Sequence, residues 1–145
     1  MKLLLMSLLV VAGLCGQASR RPKDVSMNQD FELKHGQTVR VKGQKLKLTF
    51  TSVLEDSRCP TGEQCFRAGE GKVAVEASRP GERAVSLSLS TAAGSQDAGY
   101  HGYGIKLVEL RPYPKSGDRL RPGDYVVKLR VYEGAPATTG SDASR

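Results

Sequence analysis

Apolar and polar residues alternate with period two in six separate stretches of this chain. Thr38-Val39-Arg40-Val41 is the first. In the second, Leu46, Leu48 and Phe50 fall on one face, and Lys45, Lys47 and Thr49 on the other. Val73, Val75 and Ala77 repeat the pattern, and Val85, Leu87 and Leu89 oppose Ser86, Ser88 and Ser90. Tyr103, Ile105 and Leu107 form the fifth stretch. Val127, Leu129 and Val131 form the last, opposed by Lys128 and Arg130. Successive side chains of a strand point to opposite faces, so this alternation predicts half-buried antiparallel strands. Phe31-Glu32-Leu33 adds a short edge strand.

The breaks between the stretches carry turn chemistry. Lys34-His35-Gly36-Gln37, Lys42-Gly43-Gln44, Arg79-Pro80-Gly81-Glu82 and Arg121-Pro122-Gly123-Asp124 each contain Gly, Pro or both. Proline presets φ for a turn, and glycine tolerates positive φ. No amphipathic helix is evident downstream of the N-terminal segment. The expected fold is all-β: an antiparallel sandwich, or a small barrel, of about seven short strands in one domain over residues 30–133. Residues 134–145, small and polar, are expected to be a disordered tail.

The N-terminus changes the picture. Lys2 precedes an apolar run from Leu3 to Leu14, and Gly16-Gln17-Ala18 supplies small residues where signal peptidase reads. Residues 1–18 read as a signal peptide cut after Ala18, and residues 19–29 as a flexible linker. The apolar run is too short for a helix to span the bilayer core of about 30 Å. The mature chain is therefore expected to have no transmembrane span and to be periplasmic or extracellular. Cys15 opens a second route, a lipid anchor attached to that cysteine, although Ala12 and Leu14 fit a lipobox poorly. The chain carries +7, of which residues 1–18 contribute only Lys2. The remaining positive charge is scattered along alternating strands, so it reads as a solvated sheet face. No nucleic-acid recognition motif accompanies it.

Two cysteines, Cys59 and Cys65, remain after signal removal, with five residues between them in a turn-rich segment. An even pair in an exported chain predicts one disulfide pinching one loop. A redox dithiol has two intervening residues and leads into a helix. A zinc site needs four ligands, and the mature chain adds only the distant His35 and His101. No metal or cofactor is expected. Asp56, Arg58, Pro60, Gly62 and Gly69 are the residues expected to shape the loop. Asp56 can accept backbone N–H groups, and Arg58 can pair with Asp56 or Glu63.

The segment resembles a signature of small exported bacterial proteins and lipoproteins of uncharacterised function. That signature is Asp-Ser-Arg-Cys-Pro, a glycine two residues on, a second cysteine, then an aromatic residue and Ala-Gly. Here it is Asp56 to Pro60, Gly62, Cys65 and Ala68-Gly69. The family pattern often has Trp directly before Ala-Gly, where this chain has Arg67 beside Phe66. The resemblance implies an exported β domain and brings no activity.

Gly99-Tyr100-His101-Gly102-Tyr103-Gly104 and Arg111-Pro112-Tyr113-Pro114 have the glycines and aromatics of contact loops. Arg67, Tyr100, Tyr103, Arg111 and Tyr113 are the expected partner contacts, since Tyr and Arg dominate binding hot spots. The partner is expected to be another envelope or extracellular protein. Taken in order, Cys59-Pro60-Thr61-Gly62, residues 99–104 and Arg111-Pro112-Tyr113 also resemble the three inserting loops of chagasin-like cysteine protease inhibitors. No hydrolase or phosphate-binding motif is present, so no enzyme is expected. A small secreted hydrolase using Asp56 or His101 is the remote alternative.

Overall fold

A computed structural model describes residues 21–134 of the chain. The expected signal peptide, Cys15 and nearly all of the expected tail lie outside the described residues. Nine strands follow in order: β1 (Lys23–Val25), β2 (Asp30–Lys34), β3 (Thr38–Val41), β4 (Leu46–Asp56), β5 (Gly71–Ser78), β6 (Val85–Ser90), β7 (Asp97–Tyr100), β8 (Tyr103–Arg111) and β9 (Val126–Glu133). One 3-10 turn, Pro122–Asp124, precedes β9. A five-stranded sheet has the order β1-β3-β4-β5-β6, and a four-stranded sheet has the order β2-β9-β8-β7. All neighbours are antiparallel except β1 and β3. The result is an open sandwich rather than a closed barrel, and its core lies between the sheets.

The alternation explains the core. Leu46, Leu48 and Phe50 of β4 face Leu33, Leu107 and Leu129 of the second sheet, and all six are essentially inaccessible. Burying such side chains contributes about 1.5–3 kcal/mol each. The intervening residues stay outside and form ion pairs: Arg40 with Asp24, Lys72 with Glu55 and Glu70, Lys128 with Glu109, and Arg130 with Asp30. The basic sheet faces are thus largely matched by neighbouring acids.

Two strands go beyond the expected seven. β1 lies within residues 19–29, expected as a linker, and buries Val25. It is too short and polar to show a period. β7 lies in a glycine-containing stretch and joins β8 through a two-residue turn. His101 and Gly102 in that turn have φ of 48° and 83°, the positive pair that a tight hairpin needs.

The topology sets two ends of the sandwich. The β4–β5 and β8–β9 connections lie at one end. The β5–β6 connection and the β7–β8 turn lie at the other, where His101 Nε2 is 2.9 Å from Glu82 Oε2. The nine residues of β8 separate the ends by about 27 Å.

Candidate functional site

β4 continues past the core through two register shifts against β5 and delivers Asp56 to the sandwich end. The chain then leaves the sheet as a loop, residues 57–70. Its base is stitched across: Ser57 N–H donates to the Glu70 carbonyl at 2.8 Å, and Cys59 N–H to the Ala68 carbonyl at 2.9 Å. Farther out, the Cys59–Cys65 disulfide is present, with Cα atoms 5.9 Å apart. Closing a loop this short removes about 2 kcal/mol of unfolded-state entropy in the chain-entropy account. Pro60 and Gly62, with φ of 94°, form the turn in which Glu63 N–H donates to the Pro60 carbonyl. Gly69, with φ of 65°, lies against the Ser57 carbonyl.

Arg58 ties this loop to the β8–β9 connection. Its side chain is 6% exposed. Nε donates to Asp56 Oδ1 at 2.7 Å, and Nη2 donates to Asp56 Oδ2 at 2.7 Å, a bidentate pair. Nη1 donates to the Leu110 carbonyl at 2.6 Å, and Nη2 to the Pro112 carbonyl at 2.9 Å. Tyr113 places its ring over the guanidinium, 5.0 Å from the centroid. The Tyr125 hydroxyl donates to Asp56 Oδ2 at 3.0 Å. Thus Arg58 takes Asp56 of its two expected partners. Glu63 instead accepts from Ser116 Oγ at 2.6 Å. The two connections also zip together by backbone, with Thr61 N–H donating to the Pro114 carbonyl and Ser116 N–H to the Thr61 carbonyl. Between them lies a cleft of about 500 Å³, with Asp56, Arg58 and Tyr125 at its base and Glu63, Lys115 and Asp118 among its walls.

Charge is balanced at the base of the cleft. Burial pushes the Asp56 carboxyl up, but hydrogen bonds from Arg58 and Tyr125 outweigh it and hold the group below its ordinary 3.8. Burial, followed by the bond to Asp56, pushes the Tyr125 phenol up to about 12. The two shifts destabilise the fold at opposite ends of the pH scale. A lowered Asp56 stabilises above about pH 4, and that share is lost as pH falls through the depressed value. A raised Tyr125 stabilises up to about pH 10, and that share is lost between about pH 10 and 12. Thermal melts across pH should therefore show a Tyr125→Phe variant about 1 kcal/mol less stable near neutrality, with the gap closing above pH 10. A gap independent of pH would show that the phenol does not titrate against Asp56.

Around this base the expected contact residues part company. Phe66 and Arg67 are exposed at the outer part of the loop, and Phe66 is fully accessible at 110%. Tyr113 is 52% exposed even while it covers Arg58. Arg111 is engaged by Glu32 and Glu109, so it is not a free contact. Tyr100 and Tyr103 lie at the opposite end. Tyr100 is only 5% exposed and is part of the core, because the hairpin turns its ring inward. Tyr103 packs on that core and donates to Gln44 Oε1. Neither joins Arg67 and Tyr113. Phe66 was missing from the expected contacts, although an aromatic next to Cys65 was a readable signal.

The same separation bears on the other readings. The second of the three chagasin-like loops lies at the far end, so the three do not converge on one cleft. Asp56 is buried in its ion pair, and His101 sits at the far end against Glu82. Among the described residues, no group of three or more His, Cys, Asp or Glu side chains converges as a metal site. No helix among them is long and apolar enough to cross a membrane. No protein-family model, no curated protein and no solved structure matches this chain.

Proposed function

We propose that this chain is an exported envelope module that binds another protein through its joined end loops, residues 57–70 and 112–125. The observation that carries this reading is Phe66. A fully accessible aromatic side chain does nothing for the fold, yet the loop presenting it is closed by a disulfide, bonded across its base and clamped by a buried arginine. A rigid loop holding an exposed aromatic, with Arg67 beside it and Tyr113 on the neighbouring connection, is the arrangement of a binding hot spot. The disulfide and the signal-like N-terminus support placement in an oxidising compartment.

Binding to the envelope partner should weaken about tenfold or more in Phe66→Ala and Arg67→Ala, with melting temperature nearly unchanged. Lys45→Glu, in the turn before β4, and Lys47→Glu, on the outer face of β4, should bind normally. Titration of the purified variants against the partner isolated from the native envelope gives the answer. Normal binding by both loop variants, with loss in the sheet-face variants, would place the site on the sheet. Protein collected after export should begin at Ser19 and carry no free thiol. An intact mass showing a lipid on Cys15 would replace free export with anchoring.

A further inference from the structure

The outer edge of the five-stranded sheet is built unlike the other three edges of the sandwich. β1 is three residues long and carries Lys23 and Asp24, β2 carries Asp30, Glu32 and Lys34, and β7 is four residues long and contains Asp97 and Gly99. Shortness, charge and glycine keep strand edges from pairing. β6 has none of these. It reads Val-Ser-Leu-Ser-Leu-Ser, is the longest of the four edge strands, and pairs with β5 without a register shift.

The direction of its backbone groups follows from the bonds at its end. Ser90 N–H donates to the Ser95 carbonyl, away from β5, whereas Thr91 N–H donates to the Gly71 carbonyl, toward β5. Backbone groups alternate sides along a strand, so Ser86 and Ser88 also turn their N–H and C=O groups away from β5. Both residues are exposed, and among the described residues no strand lies beyond them in the sheet. Val85, on the core-facing side with Leu87 and Leu89, is left 44% exposed.

We infer that this edge pairs with β6 of a second copy of the chain, antiparallel and two-fold symmetric about Leu87. In that register Ser86 of one copy lies opposite Ser88 of the other, and each serine pair exchanges N–H···O=C bonds in both directions. Val85 comes opposite Leu89 of the second copy, which covers the apolar side chain left open in the single chain. The paired stretch ends at Val85 and Leu89, because the Ser95 carbonyl already takes the outward N–H of Ser90. The self-complementary sequence selects a second copy over an unrelated strand, because the same patch supplies both halves of the contact. The paired sheets become continuous.

Sedimentation or light scattering of the disulfide-intact chain should show a monomer–dimer equilibrium below about 1 mM. Ser88→Pro removes an outward N–H without touching the β5 ladder, and Ser86→Lys places charge on the edge. Each should weaken dimerisation about tenfold or more, with melting temperature unchanged when measured on the dilute monomer. A chain that stays monomeric to about 1 mM overturns the inference and leaves the edge for a strand of another protein. A dimer that survives both substitutions also overturns it, because the contact then lies elsewhere.

Discussion

Arg58→Met should cost about 3–5 kcal/mol, the range for breaking a buried ion pair from one side. For a domain of this size that lowers the melting temperature by roughly 12–20 °C. The methionine fills much of the space but leaves the Asp56 carboxylate with only the backbone N–H of residue 58 and the Tyr125 hydroxyl, and removes the donors from the Leu110 and Pro112 carbonyls. A buried charge without its partner is more costly than the pair itself is worth. The double variant Asp56→Leu with Arg58→Met should therefore be more stable than Arg58→Met alone, although two carbonyls remain unsatisfied. Urea unfolding of the three proteins tests both statements. A loss below about 1 kcal/mol in the single variant would mean that water replaces the guanidinium, and that the clamp does not hold the two connections together.

Arg58 also shows where the sequence stopped being informative. Its bond to Asp56, two residues away, was readable as one of two local pairings. Its bonds to Leu110 and Pro112 were not, because a backbone carbonyl has no residue signature and these lie 52 and 54 positions along the chain. Tyr125 is hidden in the same way, since its hydroxyl meets Asp56 only after β9 has been placed beside β8. The strands themselves were legible because period two is a property of neighbouring residues. β7 was not, because a four-residue arm of a tight hairpin has too few positions to alternate. Tyr100 reads as a loop aromatic for that reason, and the hairpin turns it into the core. The disulfide follows from cysteine count and the expected compartment, but its neighbour Phe66 is not among the residues that the sequence singles out, as Arg67 is. Only the geometry separates the two ends of the sandwich, and with them the contact residues that share a site from those that do not.

Gly69→Ala should cost about 3 kcal/mol, more than loss of the disulfide. Two effects combine at this position. The φ of 65° lies in the left-handed region, where a side chain carries about 1–3 kcal/mol of strain. A Cβ there would also overlap the Ser57 carbonyl, which is backbone and cannot rotate away. The strand-like base of the loop must then separate, breaking the bonds between Ser57 and Glu70 and between Cys59 and Ala68. Gly36→Ala supplies the comparison, because Gly36 has φ of 77° with nothing near the added carbon. It should cost only the strain, about 1–2 kcal/mol. The difference between the two variants measures how firmly the loop base is seated. Gly69→Ala should also expose residues 57–70 to protease and lose partner binding while Phe66 and Arg67 remain in place chemically. If Gly69→Ala instead matches Gly36→Ala in stability and binds the partner normally, the stitched base is dispensable and rigidity of this loop is not what presents Phe66.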